Sequence, residues 1–180
     1  MRTYSDEGIV LARRNFGEAD RILSIYSKNH GRISAIAKGI RRPSSKKRGH
    51  LEIFSHINFQ IAEGRSVGLL TEVETLDSFE SLKKDLKKVS LAYFFMEVVG
   101  KITHEHERSN NLFDLILNYL KRLEKETSLK SLKYSFIEDI LVLTGFWPQG
   151  KSLINPDEKL NEVVERNINS IRVGRKVLGL

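Results

Sequence analysis

Between Lys38 and Arg48 the stretch KGIRRPSSKKR holds six cations, Lys38, Arg41, Arg42, Lys46, Lys47 and Arg48, and no carboxylate. Charges of one sign packed this densely repel until an anion neutralises them. The chemistry on offer is phosphate binding. More cations punctuate the neighbouring apolar runs: Arg13 and Arg14 close the first, Arg21 opens the second, Arg32 begins the third, and Arg65 sits at a later turn. Lys and Arg along such a groove gain affinity for nucleic acid by releasing its condensed counterions, without reading sequence. The bland alternative is a solvated loop that keeps the chain soluble. Phe16, Tyr26, Phe54 and Phe59 are the aromatic candidates for base stacking. An aromatic at a half-buried strand position is ordinarily core, so none is assigned.

Other chemistries find less support. Asp6, Glu7, Glu18 and Asp20 would have to converge to hold magnesium as a nuclease does; as turn and rim residues, Glu18 or Asp20 would instead orient Arg21 or Arg32. HEHE at His104–Glu107 lacks the His-Glu-x-x-His spacing and an identifiable third ligand, and it reads as a polar helix end. GRISAIAKG lacks the second glycine of a phosphate-cradling loop, and no nucleophile elbow occurs. With no cysteine, disulfides and thiolate metal sites are excluded. No catalytic residue, metal or cofactor is expected.

The elements that must carry the cations change character along the chain. The first eighty or so residues hold five short runs rich in Ile, Val, Phe and Tyr: GIVLARRNF, RILSIYS, GRISAIAKG, LEIFSHINFQIAEG and SVGLLTEVETL. Ile33, Ala35 and Ala37 share one face, with Ser34, Ile36 and Lys38 on the other. A change of phase near Ser55 and His56 predicts a bulge or sharp bend. Five short antiparallel strands fit an OB-type barrel, and an SH3-like barrel has the same size. The basic stretch, with Pro43, two serines and Gly49, is expected as a mobile loop.

After Ser78 the period becomes helical. Leu82, Leu86, Val89, Tyr93, Met96 and Val99 predict one long helix capped by Ser78 or Ser81; Leu112, Leu115, Ile116, Tyr119, Leu120 and Leu123 a second. Leu132, Phe136, Ile140 and Leu143 predict a third that ends at Gly145, ahead of Pro148. Pro156 starts a fourth, with Leu160, Val163, Val164 and Ile168 on its apolar face. The expected class is α+β: a five-stranded OB-fold barrel over residues 1–79, followed by an α-helical bundle over 80–180.

The net charge is +7 at 180 residues. It divides almost evenly, +3 over residues 1–80 and +4 beyond, yet the window 38–48 alone carries +6. The rest of the first part is therefore net acidic, and the cationic field is local. No apolar run approaches bilayer-spanning length and no secretory leader is evident, so a soluble, cytoplasmic protein is expected.

GIVLARRNFGEADRILSIYSKNHGRISAIAKGIRRPSSKKRGHLEIFSHINFQIAEGR resembles the amino-terminal domain of the RecO family of bacterial DNA repair and recombination mediators. The likeness runs through the GEADRIL turn, the GRISAIAKGIRRP strand with its basic loop, and the re-entry at Leu51, Glu52 and Phe54. ILVLTGFWPQG at Ile140–Gly150 resembles the family's helix end before its metal module. Many relatives carry paired zinc-binding cysteines beyond that point, whereas this chain continues KSLINPDEKLNEVV, so zinc is not expected. The resemblance implies an OB-fold joined to a helical domain, a nucleoid-associated location, binding of single- and double-stranded DNA, and annealing of complementary strands. It also implies loading of recombinase onto DNA coated by single-strand binding protein, with RecR as a partner.

In relatives the helical domain captures the carboxy-terminal tail of single-strand binding protein. Lys121, Arg122, Lys125 and Lys133 would supply the cationic rim of such a groove. Two other functions stand beside this one: an adaptor whose basic loop binds an acidic partner tail without significant DNA binding, and, with less support, a metal-dependent nuclease that would need carboxylates such as Asp6, Glu7, Glu18 and Asp20.

Overall fold

The computed structural model describes residues 2–47, 49–64 and 67–164. Its contacts define two compact units. One joins the chain up to Ser78 with the returning segment Thr103–Phe113; the other joins Phe79–Ile102 with the chain from Asp114 onward.

The first unit is a closed barrel in the order β1-β2-β3-β5-β4, built from β1 (Thr3–Phe16), β2 (Asp20–Ser27), β3 (Gly31–Ala37), β4 (His56–Ala62) and β5 (Gly68–Asp77). All neighbours are antiparallel except β3 and β5, which pair in parallel at Ala35–Gly68 and Ile36–Leu69. This is OB-type topology. The long β1 serves both sides of the barrel, pairing with β4 over Thr3–Ile9 and with β2 over Gly8–Phe16. A bulge between Val10 and Ala12 gives β1 the bend that closure needs. A Cβ at Gly68 would collide with the Ile61 side chain, so glycine permits the close β4–β5 approach.

β3 follows the expected alternation: Ile33, Ala35 and Ala37 are buried, and Ser34 and Ile36 are half-buried. They join Val10, Leu23, Ile25, Ile57, Phe59 and Ile61 in the barrel core. Each large side chain buried there contributes about 1.5–3 kcal/mol. The fourth strand begins later than its apolar sequence predicts. Leu51 and Phe54 are buried, but Phe54 adopts φ 62°, and its amide donates to the Val10 carbonyl (2.8 Å) before the strand starts at His56. The expected change of phase is present, as a left-handed residue followed by a register shift between His56 and Ile57.

The second unit holds a 3₁₀ turn (Leu82–Lys84), α1 (Leu86–Ile102), α2 from Asp114 onward, α3 (Leu129–Leu143) and α4 (Pro156–Val163). The first turn of α2, which spans Asn110–Lys125, belongs to the barrel unit. Asp85 rather than Ser78 or Ser81 caps α1, its Oδ1 accepting the amides of Lys87 (2.9 Å) and Lys88 (3.3 Å). The predicted face of α1 is only partly correct: Met96 and Val99 are buried, while Leu86 and Tyr93 are exposed. Leu91, Phe94, Phe95 and Val98 are buried instead. α1 is apolar almost all round, so periodicity alone could not choose its face. On α2 the predicted face holds, with Leu115 half-buried and the other five residues buried. Phe95, Tyr119 and Phe136 form the aromatic centre, with Phe95 and Phe136 rings 4.1 Å apart. Gly145, at φ 82°, ends the third helix as expected. Ile168 lies outside the described residues.

Candidate nucleic-acid interface

The basic stretch lies between β3 and β4, and its described residues form successive turns with no helix or strand among them. Arg42 N donates to Gly39 O (3.0 Å), Ser45 N to Arg42 O (3.0 Å) and His50 N to Lys47 O (3.1 Å). Ile40 and Leu51, both fully buried, anchor its ends in the barrel core. Its start is also fastened to the β1–β2 hairpin. Gly39 N donates to Asp20 Oδ1 (2.7 Å), Arg41 N to Ala19 O (2.9 Å) and Arg41 Nη1 to Gly17 O (3.3 Å). Asp20 therefore supports the loop backbone and does not orient Arg32.

Lys38, Arg41, Arg42 and Lys46 are exposed. Lys47 is not free: it is half-buried, and its ammonium donates to the carbonyls of Leu70 (3.2 Å) and Thr71 on β5. His50 Nδ1 lies 2.7 Å from Thr75 Oγ1, adding a second tie to that strand. Arg48 and Arg65 lie outside the described residues.

The strand-borne arginines separate into three situations. Arg14 is exposed near the end of β1. Arg13 donates to Leu51 O (3.4 Å) and lies 3.7 Å from Glu52, and Arg21 Nε donates to Asn15 Oδ1 (3.3 Å). Arg32 is engaged by the returning segment. It forms a parallel bridge with Glu105, its carbonyl accepts His106 N (2.9 Å), and neighbouring Ser34 donates to Glu105 Oε1 (2.8 Å). The Arg32 backbone is thus bridged to an acidic strap, and its Nε is buried with no hydrogen-bond partner among the described residues.

That strap corrects the expectation for HEHE. α1 ends at Ile102, and His104–Glu107 runs along β3 instead of extending a helix. Gly31, at φ 67°, faces the Glu107 carbonyl so closely that a Cβ would strike it. Tyr26 Oη lies 3.5 Å from the carbonyls of Glu107 and Ser109. Burial pushes the Tyr26 phenol up to about 12, Ser109 opposing the rise and Glu107 adding to it.

Of the aromatic candidates, Tyr26, Phe54 and Phe59 are core residues; Phe16 is 49 % exposed. Asp6 and Glu7 have structural work. Asp6 accepts from Ser27 Oγ, Asn29 N (3.0 Å) and Asn29 Nδ2 (2.7 Å), and lies 2.8 Å from His30 Nδ1. Burial alone would raise its pKa, but hydrogen bonds from Ser27, His30 and the amides of Glu7 and Asn29 outweigh burial and hold it below the ordinary carboxylate value. Glu7 meets Lys28 (3.1 Å) and His56 (2.7 Å), which likewise overcome burial and lower its pKa. Among the described residues no three His, Cys, Asp or Glu side chains form a metal-holding group. A family zinc site that needs cysteines does not fit this sequence.

In the helical unit Lys121, Arg122 and Lys125 are exposed on α2, with the Arg122 guanidinium 4.7 Å from the Tyr119 ring centre. Lys133 is not a rim residue. It is 2 % exposed, forms an ion pair with Asp157 of α4 (2.7 Å), and lies 5.2 Å from the Phe94 ring centre. Its position beside Leu132 and four residues before Ile137 was the available signal, since it falls on the buried stripe.

An OB-type barrel with a cationic β3–β4 connection and a separate α-helical unit define the architectural class. Comparison with known proteins gives the family: Recombination protein O N terminal matches residues 1–79, and Recombination protein O C terminal matches 83–163. The chain belongs to the recombination protein O family. It is similar to the DNA repair protein RecO of Pelotomaculum thermopropionicum, at 34% identity over 148 residues, 82% of this chain and 57% of that protein. The DNA repair protein RecO of Bifidobacterium longum is 34% identical over 152 residues, 83% of this chain and 64% of that protein. That of Roseiflexus sp. is 31% identical over 148 residues, 82% and 52% respectively. The chain thus spans between about half and two thirds of the length of these relatives. Among the described residues no helix is long and apolar enough to cross a membrane.

Proposed function

We propose that this chain is a non-catalytic DNA repair and recombination mediator of the bacterial cytoplasm. Its barrel, residues 1–79, holds single- and double-stranded DNA through the phosphates. Its helical part, residues 80–180, docks protein partners. The observation that supports this reading is the fastening of the start of the basic loop, at Gly39 and Arg41, to the β1–β2 hairpin that bears Arg14 and Arg21, while Lys38, Arg41, Arg42 and Lys46 are exposed. Cations held on a rigid scaffold lose less conformational freedom when a polyanion binds. Such contacts neutralise backbone without reading bases, as annealing of arbitrary complementary strands requires.

The names of the relatives, DNA repair proteins, support the same reading. In the full activity the helical part would capture the acidic tail of single-strand binding protein at a rim containing Lys121, Arg122 and Lys125. RecR would join to load recombinase. The discriminating experiment is fluorescence anisotropy of unrelated single-stranded and duplex oligonucleotides at about 150 mM salt, beside an acidic-tail peptide, where phosphate-dominated affinity survives in attenuated form. Similar binding of unrelated DNA sequences supports the proposal. Peptide binding with no DNA binding converts it to a protein adaptor.

A further inference from the structure

Phe16 is the only large aromatic side chain exposed among the described residues of the barrel unit. A lone exposed apolar residue is ordinary; its surroundings make this one informative. It pairs with Asp20 at the last rung of the β1–β2 ladder, and Asn15 pairs with Arg21 one rung before. The next residue, Gly17, accepts Arg41 Nη1, and Ala19 accepts the Arg41 amide. The aromatic ring therefore stands on the hairpin to which the basic loop is fastened. The other three candidate rings are buried in the barrel and can stack on nothing from outside.

We propose that Phe16 stacks an unpaired nucleobase of a strand whose phosphates lie on the adjacent cations, and that this contact gives the site its preference for single strands over duplex. The proposal rests on the phosphate-binding function above and adds to it the class of ligand that the ring selects. Bases of a duplex are stacked on each other and cannot cover the ring without unpairing, whereas a single strand can splay a base onto it. Every base has a π-face, so the contact carries no sequence preference. Phe16 is a specificity residue and leaves the electrostatic contacts unchanged.

The test compares the wild-type chain with Phe16→Ala, Phe16→Leu and Phe16→Trp, titrated against a single-stranded oligonucleotide and the duplex of the same length. A stacked base lost to alanine costs about 1–3 kcal/mol, or roughly 5- to 150-fold in affinity. Phe16→Ala is expected to lose that factor on the single strand and to stay within about twofold on duplex. Both slopes of log affinity on log salt should remain unchanged, because no charge is removed. Leucine should not restore single-strand binding and tryptophan should. Equal losses on both DNAs, full retention by alanine, or full rescue by leucine overturns base stacking. If wild type binds neither DNA, the phosphate-binding function itself fails; if wild type binds both and Phe16→Ala is unaltered, only the stacking proposal falls.

Discussion

The Lys47 ammonium donates to the carbonyls of Leu70 and Thr71, so one of the six clustered cations is a strut between the basic loop and β5. Its charge is already solvated by peptide oxygens, and a phosphate would have to compete with them. Lys46, one residue earlier, is exposed. We expect Lys47→Met to lower unfolding stability by about 1 kcal/mol, the typical net value of such a bond. Lys46→Met should leave stability within about 0.5 kcal/mol. Urea denaturation checks both values. DNA affinity should rank the two in the opposite order, Lys46→Met losing more.

Asp6 gives a pH-dependent prediction. Hydrogen bonding lowers its folded-state pKa, so its contribution is fully present above the unfolded value near 4 and disappears as pH falls through the lower folded value. Asp6→Asn loses the charge-assisted bonds to Ser27, Asn29 and His30, and should destabilise by about 1–3 kcal/mol at pH 7. The gap between the two proteins should narrow as pH drops below about 4. Denaturant midpoints across that range provide the measurement; a constant gap would assign the effect to packing.

Lys133 and Asp157 hold α3 to α4 inside the helical unit. Removing one member of a buried pair strands the other, at a cost of about 3–5 kcal/mol when both are fully enclosed. The Asp157 side chain is 19% exposed, which moderates the loss. Lys133→Met is expected to cost about 2–3 kcal/mol, and adding Asp157→Leu to recover most of it. Calorimetric unfolding of the single and double variants would read this directly. DNA affinity should not change in either variant.

How legible all this was depended on whether the deciding contact is local. The β3 alternation, the α2 face and the Gly145 terminus follow from neighbours in sequence, and the sequence predicts them. The start of β4 does not: Leu51 and Phe54 are as apolar as strand residues, but Phe54 sits in a left-handed turn with its amide on the Val10 carbonyl at the β1 bulge, and the strand begins only at His56. The strap on β3 was hidden for the same reason, since nothing near Glu105 announces Arg32 as its partner. Within the candidate site the cluster of cations was plain from composition. Which cations are free was not, because the carbonyls that bind Lys47 and Arg41 belong to β5 and to the first hairpin. Phe16 could be nominated from sequence, but only the burial of Tyr26, Phe54 and Phe59 distinguishes it.

The most direct test of the central claim is the salt dependence of duplex binding by wild type and by a triple variant, Lys38→Gln, Arg42→Gln and Lys46→Gln. These three side chains are exposed, and neutralising them removes charge without removing core. If all three rest on phosphates, the slope of log affinity on log salt should become shallower by about 2.7, at about 0.9 per contact. The loss in affinity should be similar for unrelated sequences. An unchanged slope in a correctly folded variant would place the phosphates elsewhere and contradict the account.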